Sequence, residues 1–181
     1  DPLRTRAVER AERLLAKYRD KTPSLEVAKY WACVEWFDET CGQLLDFLKE
    51  KGLEENTLVF FTTDNGWIQD PNSPRYAPRS KQSQYDGGLR SPMMLRWPGK
   101  VAARKSEQLV STIDWAPTVL RAAGIEPVKA MQGLNWLDEA ALSARKTMQG
   151  EIFTHNAVDL TKPASSLRWR WMIDGDYKLI V

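Results

Sequence analysis

The chain has 181 residues, 43% of them hydrophobic, and a net charge of +2 from 26 basic against 24 acidic side chains. That is material enough for one buried core, and the near-balance of charge, without a basic cluster, argues against a nucleic-acid partner. No apolar stretch approaches the roughly 18 residues of a membrane span, and the first residues lack a signal-peptide pattern, so any export signal of the parent protein is expected upstream.

Residues 5–18 are rich in Arg, Glu, Ala and Leu, and Val8, Ala11, Leu14, Leu15 and Tyr18 recur at helical spacing, which predicts a first amphipathic helix. Lys21-Thr22-Pro23-Ser24 breaks it. A longer helix is predicted from about Ser24 to Lys51: Val27, Trp31, Val34, Phe37, Cys41, Leu44, Leu45 and Leu48 lie three and four residues apart, and Gly52 is placed to end it. Its apolar face is expected to cover a sheet. Asp38 falls on or beside that stripe and is expected to bond a neighbouring loop, because a carboxylate there needs partners. Cys33 and Cys41, about 12 Å apart along one helix at ~1.5 Å rise per residue, cannot pair and read as buried free thiols.

Thr57-Leu58-Val59-Phe60-Phe61-Thr62-Thr63 is a run of β-branched and aromatic residues that stops at Asp64-Asn65-Gly66, as a buried strand feeding a parallel or mixed sheet would. Residues 66–88 carry Pro71, Pro74, Pro78, Gly87 and Gly88 and read as a long loop, a length that usually has a function in compact domains. A second strand is predicted over 92–97. Asp114 is placed to N-cap a helix over 115–123, with Pro117 in its first turn and Gly124 beyond its end. Residues 126–149 read as a connection with a short helix near 136–145. Leu167 to Ile173 alternates as a strand, and Asp174-Gly175 turns it back into Asp176 to Val181, a hairpin signal. Most of the eight tryptophans sit at helix or strand spacing and are expected in the core.

The chemistry gathers after the first strand. Asp-Asn-Gly is an ordinary turn signal; it also presents a carboxylate and an amide, hard oxygen donors suited to Ca²⁺ or Mg²⁺, where open α/β sheets hold their ligands. Lys81 follows, four residues before Tyr85-Asp86-Gly87-Gly88-Leu89-Arg90, and its ammonium is a point charge suited to sulfate or phosphate oxygens. Together these residues imply a cation and an anionic group side by side. His155, the only histidine, reads as a structural or specificity residue, with a substrate-pocket role as the alternative. Trp67, Gln69 and Asp70 either line a substrate entrance or pack as plain loop residues. Gly87 and Gly88 shape a turn, and Arg90 is expected to pair with Asp86 or a neighbouring loop.

Four motifs then occur in a telling order: Thr57 to Gly66, Lys81-x-x-x-Tyr-Asp-Gly-Gly-x-Arg-x-Pro, an apolar strand ending Arg96-Trp97-Pro98-Gly99, and Asp114-Trp115-Ala116-Pro117-Thr118. Over residues 25–181 the sequence closely resembles the C-terminal half of the sulfatase family, within the alkaline-phosphatase-like superfamily. The resemblance implies an α/β fold, part of a mixed sheet flanked by helices, with a small C-terminal antiparallel sheet. Residues 1–125 would belong to the catalytic α/β domain, and 126–181 to a connection and the small subdomain. It implies hydrolysis of sulfate esters, with Asp64 and Asn65 as ligands of Ca²⁺, Mg²⁺ being the alternative. Lys81 would be catalytic, contacting the sulfate and its bridging oxygen, and His155 and Trp67 would join it in binding substrate.

The family's nucleophile is a formylglycine made from a Cys/Ser-x-Pro-x-Arg motif. No such motif occurs here, nor do the Asp pair, Lys and His that the family supplies from its first half. The resemblance therefore implies a fragment, inactive alone, whose partner is the missing N-terminal half of the same protein. The substrate would be a sulfated small molecule or glycan. An exported location, periplasmic or extracellular, or a lysosomal one goes with the family. Rival functions are a phosphodiesterase or phosphonate hydrolase of the same superfamily, and a non-catalytic module that binds sulfated glycans.

Overall fold

The computed structural model describes residues 2–181, with side chains from residue 4 onward. The chain divides into two compact units, Asp1–Thr57 with Asp64–Arg90, and Leu58–Thr63 with Ser91–Val181.

In the first unit, which also carries the short helix α3 (Asp86–Leu89), helices α1 (Pro2–Tyr18) and α2 (Leu25–Glu50) pack against each other. Ser24 is extended, and its Oγ accepts the Val27 amide at 3.4 Å, satisfying one of the unpaired donors at the start of α2. Gly52 follows the end of α2 with φ +66°, the left-handed conformation that suits glycine. Among the described side chains, Leu14 from α1 and Val27, Ala28 and Ala32 from α2 are the buried apolar residues of the pair. Arg10 and Arg13 both reach Glu39, Lys17 reaches Glu35 at 2.6 Å, and Tyr18 meets Trp31 edge-on at 5.7 Å. Hydrogen bonds from Arg13 and then Arg10 hold the Glu39 carboxyl below its ordinary range. Exposed pairs of this kind set the register of two helices more than they stabilise them.

Within its unit α2 packs on α1, and Val34, Phe37 and Leu44 are 49%, 54% and 58% exposed. Two expectations about its side chains change. Cys33 is exposed and Cys41 half-buried, both free, so neither is a buried thiol. Asp38 is exposed, and water removes the need for a loop partner. Periodicity reveals which face is apolar and not what covers it.

In the second unit, β1 (Val59–Thr62) pairs antiparallel with β2 (Met93–Arg96), Val59 opposite Arg96 and Thr62 opposite Met93. The two strands form a two-stranded antiparallel sheet. Phe60 stacks on Trp115, at the start of α4 (Trp115–Ala122), with centroids 5.2 Å apart, and meets Trp136 at 5.4 Å. Trp136 alone of the eight tryptophans is classed as buried, while Trp31 and Trp169 are exposed, so the expectation of a largely tryptophan-filled core fails. The short helix α5 (Glu139–Ala144) is capped by Asp138, whose Oδ1 accepts the Ala141 amide at 3.0 Å.

Strands β3 (Thr147–Phe153), β4 (Leu167–Asp174) and β5 (Tyr177–Ile180) form an antiparallel sheet in that order. The predicted β4–β5 hairpin is present, with Gly175 at φ +55° in its turn. β3 begins inside the stretch read as connection, because its pairing partner, β4, is distant in sequence. Gly150 faces Trp171 across the ladder, where any Cβ would press on the indole.

Asp114 is the main correction. It occupies the N-cap position of α4, yet its side chain accepts no α4 amide. The carboxylate is fully buried at 0% exposure. Its Oδ1 accepts the Leu134 amide at 2.7 Å and Arg145 Nη2 at 2.8 Å; its Oδ2 accepts the Ser111 amide at 2.8 Å, Arg145 Nη1 at 2.6 Å and Trp136 Nε1 at 3.2 Å. Burial pushes this carboxyl up, but the bonds from Arg145, Leu134, Ser111 and Trp136 outweigh it and leave it below the ordinary value. Thr118 Oγ1 completes the node, donating to the Asp114 carbonyl at 2.7 Å and accepting the Trp136 amide at 2.9 Å.

Candidate active site

The chain leaves β1 and enters Asp64 and Asn65, the first exposed and the second half-buried. Asn65 Nδ2 donates to the Gly66 carbonyl at 2.8 Å, which fixes the plane of the amide. The Gly66 amide donates to the Gly88 carbonyl at 2.9 Å, so residues 66–88 form a loop whose ends touch. That closure requires glycine. A Cβ on Gly66 would strike the Gly87 carbonyl, one on Gly88 the Ser80 carbonyl, and one on Gly87 would lie 2.6 Å from the Arg79 carbonyl.

Inside the loop, Ser80 is fully buried, and its Oγ accepts the Ile68 amide at 2.5 Å. Its carbonyl accepts Ser83 Oγ at 2.6 Å. Arg79 and Gln82 hold φ of +59° and +62°, the left-handed region that larger residues seldom occupy. Backbone strain of this kind persists where the surroundings over-determine it, and it gathers at functional sites. Lys81 lies within this strained segment. Its side chain is half-buried, its Nζ sits 5.9 Å from the centroid of the Trp67 ring, and among the described residues no carboxylate pairs with it.

Trp67 is fixed from several directions. Tyr30 of α2 stacks on it at 6.4 Å, Tyr76 meets it edge-on at 5.4 Å, and its Nε1 donates to Gln69 Oε1 at 3.2 Å. Gln69 Nε2 in turn donates to the carbonyls of Asp70, Ser73 and Arg75 at 3.0, 2.7 and 2.9 Å. The Arg79 guanidinium lies over the Tyr85 ring at 4.9 Å, and Arg90 pairs with Asp86 at 3.8 Å as expected.

The loop therefore brings Trp67 and Lys81 together, close in sequence to Asp64 and Asn65. His155 belongs to the second unit, exposed in the turn after β3. A concavity of about 750 Å³ in that unit is lined by Met93, Arg96, Trp97, Trp136 and Leu142 among others, with no Asp, Glu or His, so it offers no anionic metal ligand. Sequence reasoning missed Tyr30, Tyr76 and Ser80. Tyr30 sits at the phase of an ordinary core residue, and nothing in Ser80's neighbours marks it as buried.

Asp64 and Asn65 are hard oxygen donors, which fits a hard cation in kind. They supply two of the roughly six to eight oxygens that Ca²⁺ takes. Among the described residues no group of three or more His, Cys, Asp or Glu comes together to hold a metal ion. The pair can be only part of a coordination shell.

With its helices and small antiparallel sheets, the chain is a mixed α/β protein of the alkaline-phosphatase-like fold. A Bacteroides thetaiotaomicron structure from work on the metabolism of multiple glycosaminoglycans is similar with a TM-score of 0.68 and 26% identity, over 94% of this chain and 39% of that one. The family model "Sulfatase" matches residues 7–125, and "N-sulphoglucosamine sulphohydrolase, C-terminal" matches 79–181. The chain belongs to the sulfatase family. A "Sulfatase" of Formosa agariphila is 30% identical over 187 residues, covering 92% of this chain and 34% of that protein. Human N-acetylgalactosamine-6-sulfatase is 38% identical over 119 residues, covering 60% of this chain and 22% of that protein. The chain thus spans about a third or less of these curated relatives' length. No described helix is long and apolar enough to cross a membrane.

Proposed function

We propose that this chain supplies the second half of a sulfatase active site, Asp64 and Asn65 as metal ligands and Lys81 as the group that meets the sulfate. The observation that carries this reading is a half-buried ammonium without a carboxylate partner among the described residues, in a loop strained on both sides of it. Family membership supports it. Sulfate-ester hydrolysis needs a nucleophile for sulfur, neutralisation of the sulfonate oxygens and a donor for the leaving oxygen. Asp64 and Asn65 would hold Ca²⁺, or Mg²⁺, and the ion when bound would act as a Lewis acid toward those oxygens. Lys81 would donate to the sulfate and to the bridging oxygen as negative charge develops there. Trp67 is proposed to line the substrate pocket, and His155 is proposed separately as a substrate-binding residue.

The formylglycine nucleophile would come from the N-terminal half of the same protein, so this chain alone would not turn over an aryl sulfate. A sulfated glycan is the substrate class favoured by the relatives, an ulvan-active sulfatase and N-acetylgalactosamine-6-sulfatase among them. The division into a catalytic part, 1–125, and a connection with a small subdomain, 126–181, is supported by the end of the "Sulfatase" match at residue 125. For the complete protein an exported or lysosomal location rests on the family relationship alone.

The test is kinetic and uses the complete enzyme. Lys81→Ala should lower kcat by roughly 10²-fold or more, as loss of one preorganised electrostatic contact does, and Lys81→Arg should recover only part, since a planar guanidinium replaces a point charge. Arg79→Ala should cost far less. Near-normal Lys81→Ala kinetics beside a severe Arg79→Ala defect would move the anion-binding role to Arg79. Preferred turnover of a phosphonate or phosphodiester would replace the substrate class, and glycan binding without turnover would leave a binding module.

A further inference from the structure

We propose that Trp67 is a positioning residue for Lys81: its indole face holds the ammonium in place while leaving the charge and the N–H donors for an anionic substrate. The inference rests on the reading of Lys81 as the anion-binding group and adds the device that aims it.

Three other lysines are held by carboxylates. Lys17 pairs with Glu35 at 2.6 Å, Lys29 with Glu26 at 2.9 Å and Lys105 with Glu107 at 3.4 Å. A carboxylate fixes an ammonium but also cancels its charge and occupies a donor. An aromatic face does neither. Its quadrupole attracts the cation at up to about 6 Å from the centroid and offers no lone pair. Lys81, at 5.9 Å from the Trp67 centroid, is held in this second way.

A ring aims a lysine only if the ring is itself fixed. Lys51 also lies over an aromatic ring, at 5.7 Å, but that ring is Phe47, which is 49% exposed. Trp67 is stacked by Tyr30, met edge-on by Tyr76 and hydrogen-bonded to Gln69, whose amide is tied to three carbonyls of the loop. The lysine's backbone is constrained as well, by buried Ser80 on one side and the left-handed Gln82 on the other. Ring and ammonium are thus positioned from separate ends of one closed loop. Tyr30 extends that support into α2, a helix that carries no sulfate-binding candidate.

Two measurements test this. In the 181-residue chain with lysine labelled at Cε, the ε-methylene resonance of Lys81 should be displaced upfield by the indole ring current. Trp67→Leu should abolish the displacement and Trp67→Phe should keep part of it. In the complete enzyme, Trp67→Leu should lower kcat/KM by about 3- to 30-fold, the range that a cation–π contact supports, with Trp67→Phe recovering most of the loss. In a Lys81→Ala background, Trp67→Leu should change kcat less than about twofold, because the group it aims is gone. A damaging Lys81→Ala combined with a fully additive Trp67→Leu would overturn the positioning role alone. A harmless Lys81→Ala would overturn the anion-binding reading and this inference with it. If Trp67→Leu does not fold, Trp67→Phe decides: loss of the ring-current displacement with wild-type kcat/KM counts against the proposal.

Discussion

Two cations show how differently the two units use a positive charge. Arg145, in the second unit, has a side chain 12% exposed and bonds both oxygens of a carboxylate that is itself fully buried. Lys81, in the first, is half-buried against an indole face with no carboxylate pairing among the described residues. The arginine neutralises Asp114 and ties residues far apart in sequence into one node. The lysine keeps its charge at the cost of local strain. A closed pair stabilises; a cation left unneutralised is suited to a ligand.

The largest expected effect separates the two by stability. Arg145→Met leaves Asp114 buried and unpaired and should destabilise the second unit by about 3–5 kcal/mol, whereas Lys81→Met should stay within about 0.5 kcal/mol. Urea unfolding of the 181-residue chain measures both, and equal losses would erase the contrast.

Acid should reveal the same node. The Asp114 carboxyl is depressed in the folded chain, so its contribution is present above the unfolded value of about 3.9 and is lost as pH falls through the lower folded value. The stability gap between wild type and Asp114→Asn should therefore hold above about pH 5 and shrink toward about pH 2. A gap that widens in acid would reverse the assigned direction.

Smaller effects sharpen the Lys81 side. Ser80→Ala leaves the Ile68 amide unpaired in the loop interior and should cost about 1–3 kcal/mol, with faster proteolysis between residues 66 and 88 as the local readout. Gln82→Gly relieves a left-handed residue and should raise stability by at most about 1 kcal/mol. In the complete enzyme the same change should lower kcat if the strained segment aims Lys81. A gain in stability with unchanged kcat would separate the strain from function.

Much of the fold was legible because its signals are local. Ser24 before α2, Gly52 after it, and Asp174-Gly175 between β4 and β5 each act on backbone within a few residues, so composition alone points to them. The order of the motifs around Asp64, Lys81 and Asp114 likewise carries the family. Where the reading failed, the partners were distant. Asp114 looks like a helix cap because the nearest amides are those of α4, yet its actual donors include Leu134, Trp136 and Arg145. The thiols and tryptophans were expected inside because spacing marks an apolar face without saying whether anything covers it.

The sequence by itself determined where helices and turns begin and end, that hard oxygen donors and a lysine follow one strand, and which family the chain belongs to. Capping, glycine conformation and residue type depend on near neighbours, and these are written in order along the chain. Only the tertiary structure decided that Asp114 is a buried, neutralised node and that Lys81 meets an indole instead of a carboxylate. Those outcomes depend on Arg145, 31 residues after Asp114, on Tyr30, in a helix well before Trp67, and on a loop closed by Gly66 and Gly88. Contacts between residues so far apart are selected by folding of the whole chain, and no local pattern encodes them.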